Sequence, residues 1–219
     1  MSSGAPARAT SEAVPDWVRW AHEIQAVAQT GLAFEPNPYD RGRYEQLQRL
    51  AARILAARSD VAAARIETLF AAEWGYATPK SDVRGAAFRD GKLLLVREVA
   101  DNHRWTLPGG WADVGLTPAE NVTKEMREET GFIVRPRKLV AALDRTRQGH
   151  TPAPFHVYKL FFLCDIIGGE ATVSDETSEV GFFAEDELPE DISVDRTTAA
   201  QLRLMFAHFR DPGLPAEFD

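Results

Sequence analysis

Three glutamates near the middle of the chain carry the clearest chemical signal in the sequence. Glu125, Glu128 and Glu129 are spaced so that, on a helix, their carboxylates lie on neighbouring faces. Like charges at this spacing destabilise a helix, and a bound divalent cation reverses that effect. Carboxylate oxygens are the hard ligands that Mg²⁺ prefers. We therefore expect these three residues to bind a divalent cation and to act in catalysis.

A glycine-rich turn, Pro108-Gly109-Gly110, precedes the three glutamates. Glycine has no Cβ atom, so the backbone of this turn can approach neighbouring groups closely. We expect the turn to lie beside the glutamates, and we include Gly110 in the candidate metal site. Taken alone, the charged run at 124–129 is more typical of a solvated helix face, so the wider pattern has to decide.

The wider pattern resembles the Nudix box. Leu116 follows Gly110 after five residues, and after seven more the chain reads Lys-Glu-Met-Arg-Glu-Glu-Thr-Gly-Phe. The residues that match the box at the required spacing are Gly110, Glu125, Met126, Glu128, Glu129, Gly131 and Phe132. The resemblance implies that the three glutamates hold metal and that the chain hydrolyses a phosphoanhydride.

Two positions depart from the box. Leu116 stands where the family has Glu, and Lys124 stands where it has Arg. In the family these two residues are generally described as an ion-paired support for the box. Because both differ here, no lone buried charge is left behind, and we expect activity to survive. The alternative is an inert relative that keeps a nucleotide-binding or scaffold role without turnover.

A fourth carboxylate is expected beyond the box, because Nudix enzymes often draw a ligand or a general base from a later loop. The segment 175–183, followed by Glu187-Leu188-Pro189, resembles that loop, its strand and its acidic turn. Glu176 and Glu179 are the candidates, and Glu176 is placed in the catalytic set. Each is explained equally well as a solvated loop acid.

Substrate contacts are less sharply indicated. Arg84, Arg97 and Lys159 lie on apolar segments that read as strands, and a cation that points into a phosphate site makes charge-assisted bonds. Each of the three is also compatible with an outward position on its strand. Trp105 and Trp111 flank the glycine turn, where an aromatic ring can stack on a base or simply pack. The candidate substrate-binding set is Arg84, Arg97, Trp111 and Lys159.

The elements that must position these residues divide the chain into four parts. Residues 1–14 are expected to be disordered, 15–78 to form three helices, 79–212 to form a mixed α/β domain, and 213–219 to be a tail. Apolar residues recur at helical spacing from Trp17, from Tyr44 and again from Ile66, with Trp74 on the buried side of the third helix. We expect the first helix to be capped by Asp16 and to end near Gly31, and the third to start at Ser59.

The α/β part shows short runs that are typical of strands, at 82–88, 92–98, 132–145 and 156–167. Asp90-Gly91 between the first two predicts a hairpin, because these residues tolerate positive φ angles. One helix is expected at 117–130, where Gly131 ends it, and another near the end of the chain with Leu202, Met205 and Phe206 on one face.

Composition narrows the class of protein. With 25 Lys and Arg against 33 Asp and Glu, the net charge of −8 disfavours a surface that binds a nucleic-acid backbone, and no DNA-binding helix-turn-helix is evident. The single cysteine, Cys164, excludes an intrachain disulfide. The longest apolar run is too short to span a bilayer, and no signal peptide is evident. These observations favour a cytoplasmic enzyme without a membrane or a sequence-specific DNA partner.

A broader resemblance extends from about Trp17 to Arg210. The helical preface, with the segment 28–40, and the strand at 152–163 are similar to a bacterial Nudix subgroup that has an N-terminal helical domain. That subgroup includes CDP-choline pyrophosphatases and proteins described as ADP-ribose pyrophosphatases. The resemblance implies a Nudix α/β/α sandwich, Mg²⁺ or Mn²⁺ as cofactor, a nucleoside diphosphate derivative as substrate, and a homodimer.

Overall fold

The computed structural model describes residues 15–219, so the expected disorder of residues 1–14 lies outside the described residues. Three helices come first. They are α1 (Asp16–Ala33), α2 (Pro38–Ala56) and α3 (Ala63–Ala71). The Asn37 side chain caps α2 by accepting hydrogen bonds from the backbone N–H groups of Tyr39 and Asp40, and Pro38 suits the first helical position because its missing N–H needs no partner.

Several predicted details of these helices are wrong. Pro15, not Asp16, occupies the capping position of α1, and Asp16 instead pairs with Arg19 within the first turn. The helix also continues past Gly31. Helix α3 begins four residues after Ser59, and Trp74 lies beyond its end with 74% of its surface exposed. Ile66 and Phe70 are the buried residues of this short helix, which depends on such packing for its stability.

The helical domain has a small core of its own that also reaches the rest of the molecule. Its buried members are Ala21, Ala51, Ala52, Leu55, Ile66 and Phe70. The alanines allow α1 and α2 to approach closely, since they add little side-chain volume. Phe155, from the second domain, packs against this core, and a ring nitrogen of His22 lies 2.8 Å from the carbonyl oxygen of Ala153. The helical domain is therefore attached to the segment that precedes a central strand.

The second domain contains seven strands and two helices. They are β1 (Lys80–Arg89), β2 (Lys92–Glu98), β3 (Arg104–Thr106), α4 (Pro118–Thr130), β4 (Phe132–Asp144), β5 (Val157–Gly169), β6 (Thr177–Phe183), α5 (Ala199–Arg210) and β7 (Glu217–Phe218). The runs predicted as strands all form strands, with ends shifted by a few residues. Strand β3 was not predicted, and β7 lies within the segment that was expected to be a tail.

The strands form a mixed sheet around β1. Strand β1 pairs in parallel with β5 and joins β2 through the hairpin at Asp90-Gly91, where both residues have positive φ. Strand β4 lies antiparallel to β5, with β7 beyond it. Strand β2 carries β6 on one edge and β3 near its end on the other. The parallel pairing of β1 and β5 brings Asp82 opposite Lys159, which matters for the site below.

Helices cover the two faces of this sheet. Val122 and Met126 of α4 pack with Val83, Ala87 and Leu94 on one face. On the other face, α5 packs on a cluster of buried residues from β1, β2, β4 and β5. The residues that α5 contributes to this cluster are Leu202, Met205 and Phe206. The arrangement is the predicted α/β/α sandwich with a mixed sheet, preceded by a small helical domain. Within residues 15–219, no helix is long and apolar enough to cross a membrane.

Candidate active site

A cavity of about 690 Å³ opens where α4, the glycine turn and the central strands meet. Its walls come from several elements, which are α4, β1, β5, the end of β2, the turn at 109–111 and the loop at 175–176. Of the candidates from the sequence, the residues that line it are Arg84, Gly110, Trp111, Glu125, Glu129, Lys159 and Glu176. Four candidates are not part of this lining, namely Glu128, Arg97, Glu179 and Trp105.

Helix α4 presents two of its three candidate glutamates to the cavity. Its start is set by a capping box in which Thr117 and Glu120 exchange hydrogen bonds, and its end by Gly131 in the left-handed conformation. Glu125 and Glu129 lie one turn apart and face the cavity. Glu128 is exposed, lies outside the cavity lining and shares Lys124 with Glu125. Glu128 follows Glu125 by three residues, about 300° of helix rotation, but precedes Glu129 by one residue, about 100°, so its side chain diverges from that of Glu129.

The glycine turn holds Glu129 in place. The backbone N–H of Gly109 donates to Oε2 of Glu129 at 2.7 Å. Gly109 has a φ of +138°, and a Cβ atom there would overlap the carbonyl oxygen of Val83 in β1. The carbonyl of Gly110 accepts a hydrogen bond from the N–H of Val83 at 2.8 Å, which leaves one lone pair on that oxygen. The turn thus needs glycine both for its backbone conformation and for its contact with β1.

Burial disfavours the ionised form of the two α4 glutamates that line the cavity, Glu125 and Glu129. Burial raises the pKa of Glu129 to about 8, and the nearby carboxylates of Glu125 and Glu98 add to this, while Arg84 and the Gly109 N–H oppose it. Burial also raises the pKa of Glu125, although Lys124 counteracts the shift. Desolvated carboxylates that lie near one another favour either a proton or a cation.

Lys124 binds the carboxylates that surround it. Its Nζ lies 2.9 Å from Glu128, 3.2 Å from Glu125 and 3.3 Å from Asp113. These contacts raise the pKa of Lys124, chiefly through its hydrogen bond to Glu128. Lys124 thus has three acidic acceptors although no Glu stands at position 116. Leu116 itself is 40% exposed, so it packs only partly against the helix.

The opposite wall of the cavity is basic. Asp82 and Arg84 lie two residues apart on β1, so their side chains face the same side of the strand, and both are buried. The guanidinium of Arg84 donates to both carboxylate oxygens of Asp82 at 3.0 and 2.7 Å, and to the carbonyl of Leu107. Lys159, on β5, donates to Asp82 at 2.5 Å. Arg84 and Lys159 together lower the pKa of Asp82 to about 2, although burial alone would raise it.

The rim is made of side chains from four segments. Trp111 is 54% exposed, so its ring face is accessible. Glu98 ends β2 and is paired with Arg196 at 3.0 Å. Glu176 lies in the exposed loop before β6, where its carbonyl accepts from the N–H of Val99. Phe155, which packs on the helical domain, closes the side nearest α1.

Three candidates from the sequence lie elsewhere. Arg97 pairs with Glu179 and Asp191, both at 2.8 Å, on the side of the sheet away from the cavity lining. The same contact occupies Glu179, so of the two late-loop acids only Glu176 reaches the cavity. Trp105 is buried in the core and packs edge-on against Phe183, which excludes it as a stacking platform. Side chains on neighbouring strand positions alternate between faces, which explains why Arg97 and Glu98 point apart.

Two family models match the chain. Residues 15–70 match the UDP-X-like, N-terminal oligomerisation domain. Residues 79–204, which are more than half of the chain, match the NUDIX domain. The chain belongs to the Nudix family. The resemblance of residues 110–132 to the Nudix box is thereby confirmed, and the N-terminal match coincides with the three helices that precede the sandwich.

Two named relatives resemble the chain, the first over most of its length and the second over about half. A Bacillus subtilis (strain 168) protein named "Putative ADP-ribose pyrophosphatase YjhB" is 45% identical over 203 residues, which cover 93% of this chain and 97% of that protein. An ADP-ribose pyrophosphatase of Methanocaldococcus jannaschii is 34% identical over 119 residues, covering 52% of this chain and 67% of the relative. The chain is therefore a Nudix pyrophosphohydrolase.

Two solved structures are similar to the chain in both sequence and fold. The crystal structure of a UDP-X diphosphatase is 34% identical with a TM-score of 0.60, and the alignment covers 93% of this chain and 98% of that one. The crystal structure of an ADP-ribose pyrophosphatase from Streptococcus suis 89-1591 is 39% identical with a TM-score of 0.59, covering 65% of this chain and all of the other. The similarity to the first structure includes the helical domain.

Nudix hydrolases generally use divalent metal ions, so the fit of this site to such an ion matters. Within residues 15–219, no group of three or more His, Cys, Asp or Glu side chains is arranged to hold a metal ion. In this structure Lys124 binds Glu128 on the neighbouring face of α4. Glu125 and Glu129 nevertheless fit a hard cation, since they are desolvated oxygen donors with raised pKa values in one cavity.

Sequence reasoning missed several residues of the Nudix site, namely Asp82, Glu98, Arg145 and Arg196. One signal was present for Asp82, because a strand with Asp and Arg two residues apart, in an otherwise apolar run, places two charges on one buried face. Arg145 and Arg196 come from loops that only the fold brings to the cavity. Nothing local in the sequence distinguishes them from surface arginines.

Proposed function

We propose that this Nudix pyrophosphohydrolase cleaves the phosphoanhydride of a nucleoside diphosphate linked to another group, X. The products are a nucleoside monophosphate and a phosphorylated remainder. The observation that carries the proposal is the division of one cavity into a carboxylate wall, with Glu125 and Glu129, and a basic wall, with Arg84 and Lys159. A diphosphate needs cations for its oxygens, and hydrolysis needs a base for the attacking water.

The basic wall is suited to hold the phosphates in one orientation. Asp82 and the carbonyl of Leu107 fix the guanidinium of Arg84, so that little side-chain entropy is lost when a phosphate binds. Trp111 at the rim offers an accessible ring on which a base can stack. These contacts bind and orient the substrate, which is how a large part of phosphoryl-transfer catalysis arises.

Glu125 and Glu129 would hold a Mg²⁺ or Mn²⁺ ion, with Glu128 and the carbonyl of Gly110 as further candidate ligands. When bound, such an ion neutralises phosphate charge and lowers the pKa of a bound water. Exchange of Lys124 for the ion as the partner of Glu125 and Glu128 would bring a third carboxylate to the site. Repulsion between the carboxylates of α4 would favour that exchange.

The attacking water must lose a proton to a carboxylate of the site. Its oxygen forms a bond to phosphorus, the bridging P–O bond breaks, and that electron pair leaves on the departing phosphate. Glu125, Glu129 and Glu176 are the candidate bases, since all three line the cavity. Burial raises the pKa of Glu129 to about 8 in the metal-free protein, and a bound cation would lower that pKa and favour the ionised carboxylate.

The substrate range is proposed from the relatives and from the subgroup resemblance. Purified protein is incubated with ADP-ribose, UDP-glucose or CDP-choline in Mg²⁺ or Mn²⁺, and phosphomonoesterase then releases phosphate from the products. We expect turnover of at least one substrate and none with EDTA. Hydrolysis in ¹⁸O-labelled water shows which product carries the new oxygen. A protein that binds these compounds but turns none over is the inert relative, and the proposal is then wrong.

We further infer that the chain forms a homodimer through its helical domain. Trp20 and Val27 are seven residues apart on α1, so they share a face, and they are 53% and 59% exposed. An apolar stripe of this kind is costly in water. The family model that matches residues 15–70 is described as an oligomerisation domain, which supports a second copy of this chain as the partner.

A further inference from the structure

The basic wall extends across the sheet beyond the position of Arg84. Strand β5 lies next to β1, and β4 lies next to β5, with Lys159 opposite both Asp82 and Leu143. Arg145 follows β4 in a short 3-10 turn. Since neighbouring strands are about 4.8 Å apart, Lys159 and Arg145 lie roughly one and two strand spacings from β1. Of these three cations, Arg84 acts most strongly on the pKa of Glu129.

The single buried carboxylate in this wall is already used by Arg84. Both oxygens of Asp82 accept from its guanidinium. Lys159 shares one of those oxygens, and this is its one hydrogen bond, although an ammonium group has three donors. Only 2% of the Lys159 surface is exposed, and the side chain lines the cavity. Two of its N–H groups are thus left for an acceptor inside the cavity.

Arg145 is held by two carbonyl oxygens and by one longer ion pair. Its guanidinium donates to the carbonyl oxygens of Thr151 at 2.6 Å and Asp195 at 3.3 Å. The nearest carboxylate, that of Asp195, is 3.6 Å away and half exposed. A buried charge normally has an opposite charge beside it. Asp82 is the buried carboxylate whose charge acts on all three buried cations of this wall, Arg84, Lys159 and Arg145. The other buried carboxylates of the cavity, Glu98 and Glu129, act on Arg84.

The two outer cations also disfavour one another. Burial lowers the pKa of Lys159 to about 7, and the neighbouring charges of Arg84 and Arg145 lower it further, against the opposite effect of Asp82. Burial likewise lowers the pKa of Arg145. An anionic oxygen between these groups would remove this repulsion and occupy the free donors of both.

We propose that Lys159 and Arg145 form a second anion-binding subsite, which takes phosphate or carboxylate oxygens on the part of the substrate that lies away from the carboxylate wall. Its role in turnover rests on the proposed function, while its capacity to bind an anion does not. The bound oxygens belong either to the departing phosphate of the diphosphate or to an acidic substituent on X. Asp82 acts as a positioning residue, since it holds Lys159 against the cavity.

The subsite is tested first without metal or turnover. Inorganic phosphate is titrated into the EDTA-treated protein by calorimetry, because without a cation the glutamates repel phosphate and only the basic wall can bind it. We expect saturable binding that weakens at least tenfold in Lys159→Met and in Arg145→Gln. The matched controls are Lys92→Met and Arg135→Gln, which remove exposed, ion-paired cations outside the cavity and should bind phosphate as the parent does.

Two results would overturn the subsite. One is the absence of phosphate binding in the parent protein, and the other is undiminished binding in Arg145→Gln. If Lys159→Met fails to fold, as judged by circular dichroism, Arg145→Gln decides the question, and Arg145→Lys should retain part of the binding. A merely structural role for these cations would alter thermal stability but leave the phosphate affinity of the folded variants unchanged.

The source of the anion is then identified by kinetics with UDP-glucose and UDP-glucuronate, which differ only in one carboxylate. If X supplies the anion, the parent prefers UDP-glucuronate, and Arg145→Gln loses that preference without a change in KM for UDP-glucose. If the departing phosphate supplies it, kcat/KM falls about equally for both substrates. No change for either substrate contradicts a role in turnover. Failure of every nucleotide in the parent counts against the proposed function, and phosphate binding still judges the subsite.

Discussion

At the scale of single residues, the site depends on carboxylates that are poorly solvated and close together. Glu125 and Glu129 share a cavity with Glu98, whose charge is balanced by Arg196. The two residues on α4 have no comparable buried cation of their own, since Arg84 is bound to Asp82 and Lys124 is shared with other acids. The unfolded chain does not impose this cost, so the residues are retained at the expense of stability, as is common at functional sites.

We expect Glu129→Gln to lower turnover by roughly a hundredfold or more, because a neutral amide is a poor ligand for a hard cation and cannot accept a proton. The fold should persist, since the amide oxygen can still accept from the N–H of Gly109. The measurement is kcat at saturating and at limiting Mg²⁺, with circular dichroism as the folding control. Full activity at limiting Mg²⁺ would show that the assigned metal site is wrong.

The raised pKa of Glu129 predicts how stability depends on pH. Its folded-state pKa is about 8 against an ordinary value of 4.5, so between these values the folded protein binds more protons than the unfolded one. Stability in EDTA should therefore fall as pH rises, by up to about 1.4 kcal/mol per pH unit, and level off above pH 8. In urea unfolding, the free energy of unfolding of Glu129→Gln should rise relative to that of the parent as the pH increases from 5.5 to 8.5.

The exposed Glu128 provides the control for this pH dependence, because its carboxylate lies at the surface beside Lys124. The difference between Glu128→Gln and the parent should be nearly constant over the same pH range. A parent protein whose stability is flat between pH 5.5 and 8.5 would contradict the burial of an uncompensated carboxylate at position 129.

The two acids near β6 allow a direct comparison, because they are three residues apart and only one lines the cavity. Glu176→Gln should lower kcat if this residue serves as a base or a ligand, since Glu176 reaches the cavity. Glu179→Gln should leave kcat close to that of the parent, because Glu179 pairs with Arg97 outside it. Initial rates at saturating substrate give the comparison, and a larger loss in Glu179→Gln would mean that the loop is placed differently in the working enzyme.

At the scale of elements, α4 and the glycine turn act as one unit. The helix begins at a capping box and ends at Gly131, and Glu129 joins it to the turn through the N–H of Gly109. The glycine turn also forms backbone hydrogen bonds with β1 through Pro108, Gly110 and Ala112. This pairing explains how a loop can hold backbone groups beside the glutamates as firmly as a strand would.

The two departures from the Nudix box can be tested by restoring the family residues. Lys124→Arg alone should change little, because Lys124 already contacts three carboxylates. Leu116→Glu alone adds a fourth acid to that group and should lower stability. The double variant should be tolerated better than the sum of the two, with a favourable coupling of about 0.5–3 kcal/mol.

The measurement is a double-mutant cycle on thermal stability and on kcat at saturating Mg²⁺. The parent should be active in this cycle. A parent without activity that hydrolyses its substrate only after both changes would identify the natural chain as the inert relative.

At the scale of the whole molecule, the helical domain is joined to the catalytic cavity. Phe155 lines that cavity and also packs on the core of the helical domain, while His22 of α1 contacts the carbonyl of Ala153 two residues earlier. Lys80, the first residue of β1, lies over the ring of Phe155 at 4.7 Å. A displacement of α1 would therefore shift Phe155 in the wall of the cavity.

We expect the protein to be a homodimer at micromolar concentration, with about twice the mass of the 24.3 kDa chain. Trp20→Glu combined with Val27→Glu should yield a monomer, because two charges on the apolar stripe of α1 cannot be buried without partners. Ile167→Glu, a matched change at an exposed apolar position on β5, should leave the mass unchanged. Light scattering gives the answer, and a monomeric parent contradicts the dimer.

Much of this organisation follows from local sequence alone. The period of apolar residues located every helix and the four longest strands, and the Asp90-Gly91 and Gly131 signals placed a hairpin and a helix end where the structure has them. The spacing of Gly110 and the glutamates identified the family. Such signals are local because they depend on backbone conformations and on side chains only a few residues apart.

Tertiary structure decided which of those side chains share a cavity. Helix rotation and the binding of Lys124 took Glu128 to another face, and strand alternation turned Arg97 away while it turned Glu98 inward. Arg145 lies 63 positions from Asp82 in the numbering, yet the order of β1, β5 and β4 brings both to one wall. Strand order and pairing register arise from contacts between distant segments, and a single sequence carries no local signal for either.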